Sequence, residues 1–235
     1  MIRQEKIENS ISLITLDTGK GNMLGIDDLQ SLNNIIFQEQ INPKTQGVIL
    51  TGTNNCFCTG LKIGDIPTKE FEIFDRLLYE LFNFQKPVAV ATNGHSIGGG
   101  LLIQLCADYI VMSDNEKIKI GLPELKLNTA LDSLMIYLLK YSVGNMRHIQ
   151  ELLYSGQYIQ PSKSIEYNLC DILVNDSDVF ECALGEMKKI ISYKQVAFTG
   201  IKHSMRKETA MKMLHELNTG CYKIYNMIGK VDKIS

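Results

Sequence analysis

The stretch KPVAVATNGHSIGGGLLIQLCADYIVMS, Lys86 to Ser113, decides the fold. PVAVAT is a short, continuous apolar run, as expected of a strand buried on both faces. Gly98, Gly99 and Gly100 then open GLLIQLCA, which reads as a short apolar helix, and DYIVMS reads as the next strand. Strand, helix and strand in that order predict a parallel pair joined by a right-handed crossover.

The same alternation extends backwards. SISLITLD alternates apolar and polar residues and reads as a strand, with a turn at TGKGN. From Ile26, IDDLQSLNNIIFQEQ carries apolar residues at helical spacing, with Asp27 and Asp28 at the end where a helix favours acids. GVILTG reads as a buried strand and NNCFCTGLKIGDIP as a glycine-punctuated loop. FEIFDRLLYELFNF reads as a helix with Phe71, Phe74, Leu77, Leu78, Leu81 and Phe82 on one stripe, closed by Lys86-Pro87. After Pro123 the pattern becomes helical, apart from a candidate strand in CDILVN. The chain is therefore read as α/β, with a sheet-bearing core over residues 1–175 and a helical region over 176–235.

Composition bounds the function. The 235 residues carry a formal net charge of −2, which gives no electrostatic case for nucleic acid or an anionic membrane. MIRQEKIENS is polar with no apolar signal core behind it, so a cytoplasmic protein is expected. No apolar run approaches the length of a membrane span. The six cysteines form no CxxC pair and read as free thiols, not as zinc ligands or disulfides.

A glycine-rich turn entering a helix exposes backbone N–H groups that have no intrahelical acceptor. An anion or a developing oxyanion is their natural guest. The pattern is neither G-x-G-x-x-G after a first strand nor a Walker loop, so a nucleotide site is poorly supported. CFCTGLKIGD also follows a strand and puts Gly60 before Leu61. Loops leaving two neighbouring strands can aim two N–H groups at one point.

These residues carry a resemblance. FCTGLKI resembles a family pattern F-S-A-G-x-D-L, and KPVAVATNGHSIGGG resembles K-P-x-I-A-A-v-N-G-x-A-x-G-G-G. GNMLGIDDL, GLPELKL and LLYSGQYIQPSKSIEYNLCDILV resemble further segments of the same family, in the right order from about Ser12 to Val174. The family is the enoyl-CoA hydratase/isomerase (crotonase) superfamily, and the chain is most similar to its single-glutamate, isomerase-like branch.

The resemblance implies a spiral of ββα units with helical C-terminal elements used in trimers or hexamers. It implies acyl thioesters of coenzyme A or of acyl carrier protein as substrates. Coenzyme A or phosphopantetheine enters only as part of the substrate, and no metal is expected. It assigns the oxyanion donors to the N–H groups of Leu61 and Gly99, flanked by Gly60 and Gly98. Hydratases of the family use two glutamates. The first falls on Leu102 here and is missing; the second falls on Glu124. A single carboxylate suits proton transfer between two carbons, so the implied activity is Δ3–Δ2 enoyl thioester isomerisation.

Other departures bear on the substrate. Lys62 replaces an aspartate, and Lys62 or Lys20 is a candidate phosphate contact. LDSLM replaces P-G-x-G-G, which makes Asp132 a candidate second acid, and Asn128 replaces a glycine in the same turn. His95 and His203 read as packed or solvated imidazoles. The family's ending E-G-x-x-A-F-x-E-K-R is not found before GKVDKIS, which leaves room for a carrier-protein substrate. The alternatives are a decarboxylase, dehydratase or hydratase on such intermediates, as in polyketide β-branching relatives, or a non-catalytic thioester-binding homologue.

Overall fold

The computed structural model describes residues 1–62 and 68–220. The chain opens with strands β1 (Ile2–Ile7) and β2 (Ile11–Leu16), a 3-10 turn at Lys20–Asn22, and helix α1 (Ile26–Ile41). Strands β3 (Gly47–Gly52) and β4 (Cys56–Cys58) lead to helix α2 (Thr68–Phe82). Strands β5 (Val88–Thr92) and β6 (His95–Ile97) lead to helix α3 (Gly99–Leu105). Strands β7 (Tyr109–Ser113) and β8 (Ile120–Gly121) lead to a 3-10 turn at Glu124–Leu127. Helices α4 (Ser133–Ser142), α5 (Met146–Ser155) and α6 (Pro161–Ser164) precede strand β9 (Ile172–Val174). Helices α7 (Val179–Ile191) and α8 (Gln195–Thr219) complete the described chain.

Two sheets organise these elements. The larger runs β1-β2-β3-β5-β7-β9, the smaller β4-β6-β8. All neighbours pair in parallel except β1, which runs antiparallel to β2. Each of β3, β5 and β7 crosses directly into a strand of the small sheet before the chain turns back. This is the arrangement of ββα units that the family resemblance implies.

Strand period sets the two cores. In β3, Val48 and Leu50 enter the large core while Ile49 faces the small one; β5 divides Val88 and Val90 from Ala89 and Ala91 in the same way. Helix α7 covers the small core with Val179, Ala183, Leu184 and Met187. Because both faces are covered, these strands read as continuous apolar runs.

The structure corrects several sequence expectations. The polar N-terminus forms β1, an edge strand whose side chains are mostly exposed, so it carries no apolar alternation. The loop read across residues 54–67 contains β4, which is too short to show a period. Helix α2 ends at Phe82, four residues before Lys86, and Lys86 is buried with its Nζ donating to the carbonyls of Glu39 and Asn42.

Helix α8 packs on α2 and α4 of its own chain. The stretch CYKIYNMIG and the final GKVDKIS lie outside the described residues. Five described cysteines are free, four of them buried. Among the described residues no helix is long and apolar enough to cross a membrane.

Candidate active site

Strands β4 and β6 are parallel neighbours, so the loops leaving them lie side by side. Close approach there requires glycine. A Cβ on Gly100 would stand 2.1 Å from the Cys58 carbonyl oxygen, an impossible contact. Gly60 has φ +99°, and a Cβ on it would stand 3.2 Å from the Gly99 nitrogen and 3.4 Å from the Ile97 oxygen.

Two N–H groups are left over by this packing. Leu24 and Leu61 form a parallel bridge in which the Leu24 N–H donates to the Gly60 carbonyl and the Lys62 N–H donates to Leu24, each at 2.9 Å. That ladder leaves the Leu61 N–H unused. Gly99 is the first residue of α3, and a helix offers its first N–H groups no internal acceptor.

The acid arrives from the third strand of the small sheet. β8 pairs with β6, and the Gly98 N–H donates to the Gly121 carbonyl at 2.9 Å. Leu122 and Pro123 then bring Glu124 to the start of its 3-10 turn, directly opposite the glycines. Its Oε1 lies 3.1 Å from where a Cβ on Gly98 would stand. Its Oε2 is buried with no hydrogen-bond partner among the described residues. Burial pushes the carboxyl up to about 7, against a smaller downward pull from a hydrogen bond with its own backbone. The turn closes at Asn128 in the left-handed conformation, which asparagine adopts more readily than most side chains.

Glu124 and the two loops share one cavity of about 220 Å³. Phe71, Phe74, Leu102, Leu131 and Met135 form its apolar walls, with Leu127 and Tyr158 at its exposed rim. Leu102 is 1% exposed, so the position where hydratases of the resembled family carry a second acid is a sealed apolar wall. The arrangement pairs two backbone donors with one desolvated carboxylate, a combination suited to stabilising an enolate and moving a proton.

Of the residues singled out in the sequence, Gly60, Leu61, Gly98, Gly99, Leu102 and Glu124 come together at this cavity. Three others do not line it. Lys20 is exposed on the first 3-10 turn. Lys62 is exposed and pairs loosely with Asp28 at 3.9 Å. Asp132 is buried as the N-cap of α4, its Oδ1 accepting the Met135 N–H at 3.0 Å. Oδ1 thus serves the helix start, as the Asp-Ser opening of LDSLM allows, while Oδ2 is buried with no hydrogen-bond partner among the described residues.

The histidines are placed as packed or solvated groups. His95 Nδ1 accepts the Lys119 N–H at 3.0 Å, and His203 is exposed on α8. No group of three or more metal-binding side chains forms among the described residues. The sequence places Phe71 and Phe74 on one helical stripe and does not mark Leu131, Met135 or Tyr158 as wall residues. The stripe on α2 was visible, but nothing local says that its first turn faces a cavity.

Comparison with known proteins gives the family and the fold. The family model described as enoyl-CoA hydratase/isomerase matches residues 6–233. A curated relative, carnitinyl-CoA dehydratase of Escherichia coli (strain K12), is 26% identical over 209 residues, covering 86% of this chain and 79% of the relative. The crystal structure of human mitochondrial delta3-delta2-enoyl-CoA isomerase superposes with a TM-score of 0.91 at 22% identity, covering 98% of this chain and 93% of that one. An enoyl-CoA hydratase structure from Bacillus anthracis gives 0.79 at 24% identity, covering 93% and 90%.

Proposed function

Because the chain belongs to the enoyl-CoA hydratase/isomerase family, we propose that it shifts a carbon–carbon double bond from the 3 to the 2 position of an enoyl thioester, with Glu124 as its single base. The Leu61 and Gly99 N–H groups donate to the thioester carbonyl oxygen held between them. The Glu124 carboxylate removes a proton from C2, the electron pair of that C–H bond becomes the second bond between C1 and C2 of a conjugated enolate, and the carbonyl π pair moves onto the oxygen. The two N–H groups hold the resulting oxyanion. Glu124, now protonated, returns the proton to C4: the C3–C4 π pair forms the new C4–H bond, the C1–C2 π pair becomes the C2–C3 double bond, and the oxyanion re-forms the thioester carbonyl. Base and acid are the same group, so its pKa must serve both steps, and a value near 7 does so.

The observation that carries this reading is the pairing of a desolvated Glu124 with an apolar Leu102 in one cavity. Adding water to a 2-enoyl thioester requires a group to orient that water, and Leu102 has no polar atom to offer. A paired assay of wild type and Glu124→Gln on 3-enoyl and 2-enoyl thioesters tests the reading. Fast isomerisation, slow hydration and loss of isomerisation in the variant are expected. Strong hydration by wild type, or unaffected isomerisation in the variant, overturns it.

The curated relatives favour a second reading, dehydration of a hydroxyacyl thioester, since carnitinyl-CoA dehydratase is the activity named for them. Turnover of carnitinyl-CoA in the same assay distinguishes the two. Coenzyme A is the proposed carrier, and a carrier-protein thioester is the competing substrate for that assay. Self-association as a trimer or a dimer of trimers belongs to the same proposal, supported by the exposed Ile201, Met205 and Met211 of α8. Light scattering that returns only a monomer at micromolar concentration removes that part of it.

A further inference from the structure

We propose that the acyl end of this cavity is blind and admits a short chain of four to about seven carbons, with Met135 setting the limit. The inference rests on the enoyl-thioester reading and adds the substrate's length to it.

The inner walls are the most buried parts of the cavity. Phe71, Phe74, Leu102 and Met135 are all buried, whereas Leu127 and Tyr158 at the rim are largely exposed. One turn along α4 from Met135 lie Leu138 and Leu139, and one turn along α2 from Phe74 lie Leu77 and Leu78, all fully buried in the same core cluster as the inner walls. Among the described residues, a chain entering past the rim meets buried side chains of this core, whose packing density leaves little room for further methylenes.

The reacting end is fixed close to that wall. A Cβ on Gly99 would stand 3.0 Å from Cζ of Phe74, so the loop carrying the proposed oxyanion donor lies against the ring. A cavity of about 150 Å³ accommodates benzene, so 220 Å³ holds about nine non-hydrogen atoms by proportion. The thioester sulfur and oxygen and carbons C1 to C4 fill most of that space. Room remains for about three more carbons.

Met135 is the residue to which the limit is assigned. Its backbone is pinned, because its N–H is capped by Asp132 Oδ1 at 3.0 Å in the first turn of α4. Its side chain is unbranched and leaves space when shortened. Phe74 supports the Gly99 loop and Leu102 belongs to the wall beside the base, so shortening either disturbs the reaction as well as the chain.

The test is calorimetric binding of hexanoyl-CoA and decanoyl-CoA, two unreactive saturated thioesters. An open channel would reward each added methylene with about fourfold in affinity, the factor equivalent to ~0.8 kcal/mol. The blind pocket predicts that decanoyl-CoA binds more weakly than hexanoyl-CoA or within fourfold of it. Met135→Ala should improve decanoyl binding relative to hexanoyl binding by at least fivefold. Decanoyl binding more than fourfold tighter in wild type overturns the proposal. So does a soluble, folded Met135→Ala with an unchanged ratio; if that variant does not fold, Met135→Val serves in its place under the same criterion.

Isomerisation of 3-hexenoyl-CoA and 3-decenoyl-CoA separates this inference from the activity. The expected binding profile without turnover of either substrate removes the isomerase reading and keeps the pocket. Faster turnover of 3-decenoyl-CoA removes the pocket and keeps the isomerase.

Discussion

Oε1 of Glu124 lies 3.1 Å from the point where a Cβ on Gly98 would stand. Two independent constraints therefore meet at Gly98. Its φ of +55° disfavours any side chain, and its open side is the space beside the carboxylate. Gly98→Ala should cost about 1–3 kcal/mol of stability from backbone conformation alone, because φ +55° with ψ −127° is a region that side chains rarely enter. It should also push the carboxylate aside and lower kcat by tenfold or more, with a smaller change in KM. Steady-state kinetics beside a thermal melt checks both effects. Wild-type kcat in Gly98→Ala would place the working position of Glu124 elsewhere.

Gly60 offers a second backbone test. A Cβ there would intrude between the Gly99 nitrogen and the Ile97 oxygen, at 3.2 and 3.4 Å. Gly60→Ala should spread the two loops and remove the convergence of their N–H groups. A loss of about 10²–10³ in kcat is expected, the scale of one oxyanion donor. Leu61→Ala keeps its N–H and should fall by much less. Equal, severe losses in both variants would contradict a backbone role for Leu61.

How much of this could be read beforehand depends on the range of the interactions involved. Val48–Leu50 and Val88–Ala91 were legible as strands because both faces are covered and the apolar run is local in sequence. Gly98 to Gly100 were legible as a turn entering a helix, a signal with several explanations, and it was the family resemblance that implied the oxyanion donors and the proposed role of Glu124. β1 was not legible, since an edge strand with exposed side chains has no alternation. The small sheet was missed because two- and three-residue strands such as Ile120–Gly121 carry no period. Phe74 and Met135 were readable as buried, but only the packing of α2, α3 and α4 reveals that they wall a cavity and do not merely fill a core.

The raised pKa of Glu124 gives two pH signatures. In the proposed reaction the free base is the reactive form, so kcat/KM should rise with pH and level off above about 7. Stability should move the opposite way. Between the ordinary value of 4.5 and about 7, the folded protein holds a proton that the unfolded chain has released. Stability is therefore lost as pH rises through that window. Glu124→Gln removes the effect, so it should be more stable than wild type at pH 8 by on the order of 2 kcal/mol, with the gain fading by pH 4. Urea titrations at the two pH values measure the difference. A pH-independent gap between variant and wild type would mean that the carboxyl is not desolvated.

The last prediction concerns how α8 is fastened. Asp108 Oδ2 accepts from Lys202 Nζ at 2.6 Å and from the Val88 N–H at 2.8 Å, and its Oδ1 pairs with Arg206 Nη2 at 2.8 Å. The Arg206 guanidinium also donates to the carbonyls of Phe82, Cys106 and Ala107, and it stacks over the Phe82 ring at 4.6 Å. Lys202 and Arg206 sit four residues apart on one helical face, and both are buried. One carboxylate thus serves two buried cations, and the three are not equivalent. Asp108→Asn leaves both cations without a counter-ion and should cost about 3–5 kcal/mol. Lys202→Met leaves a one-to-one pair between Asp108 and Arg206 and should cost much less. Burial pushes the Lys202 ammonium down to about 8, against the pull of Asp108. Between pH 8 and 10.5 the folded chain therefore binds fewer protons at Lys202 than the unfolded one, and stability gains with rising pH there. Lys202→Met should lack that gain. Denaturant midpoints at pH 7.5 and 10 for the two variants and wild type test the assignment. Equal losses in Asp108→Asn and Lys202→Met would show that Asp108 is not the shared anchor of the helix.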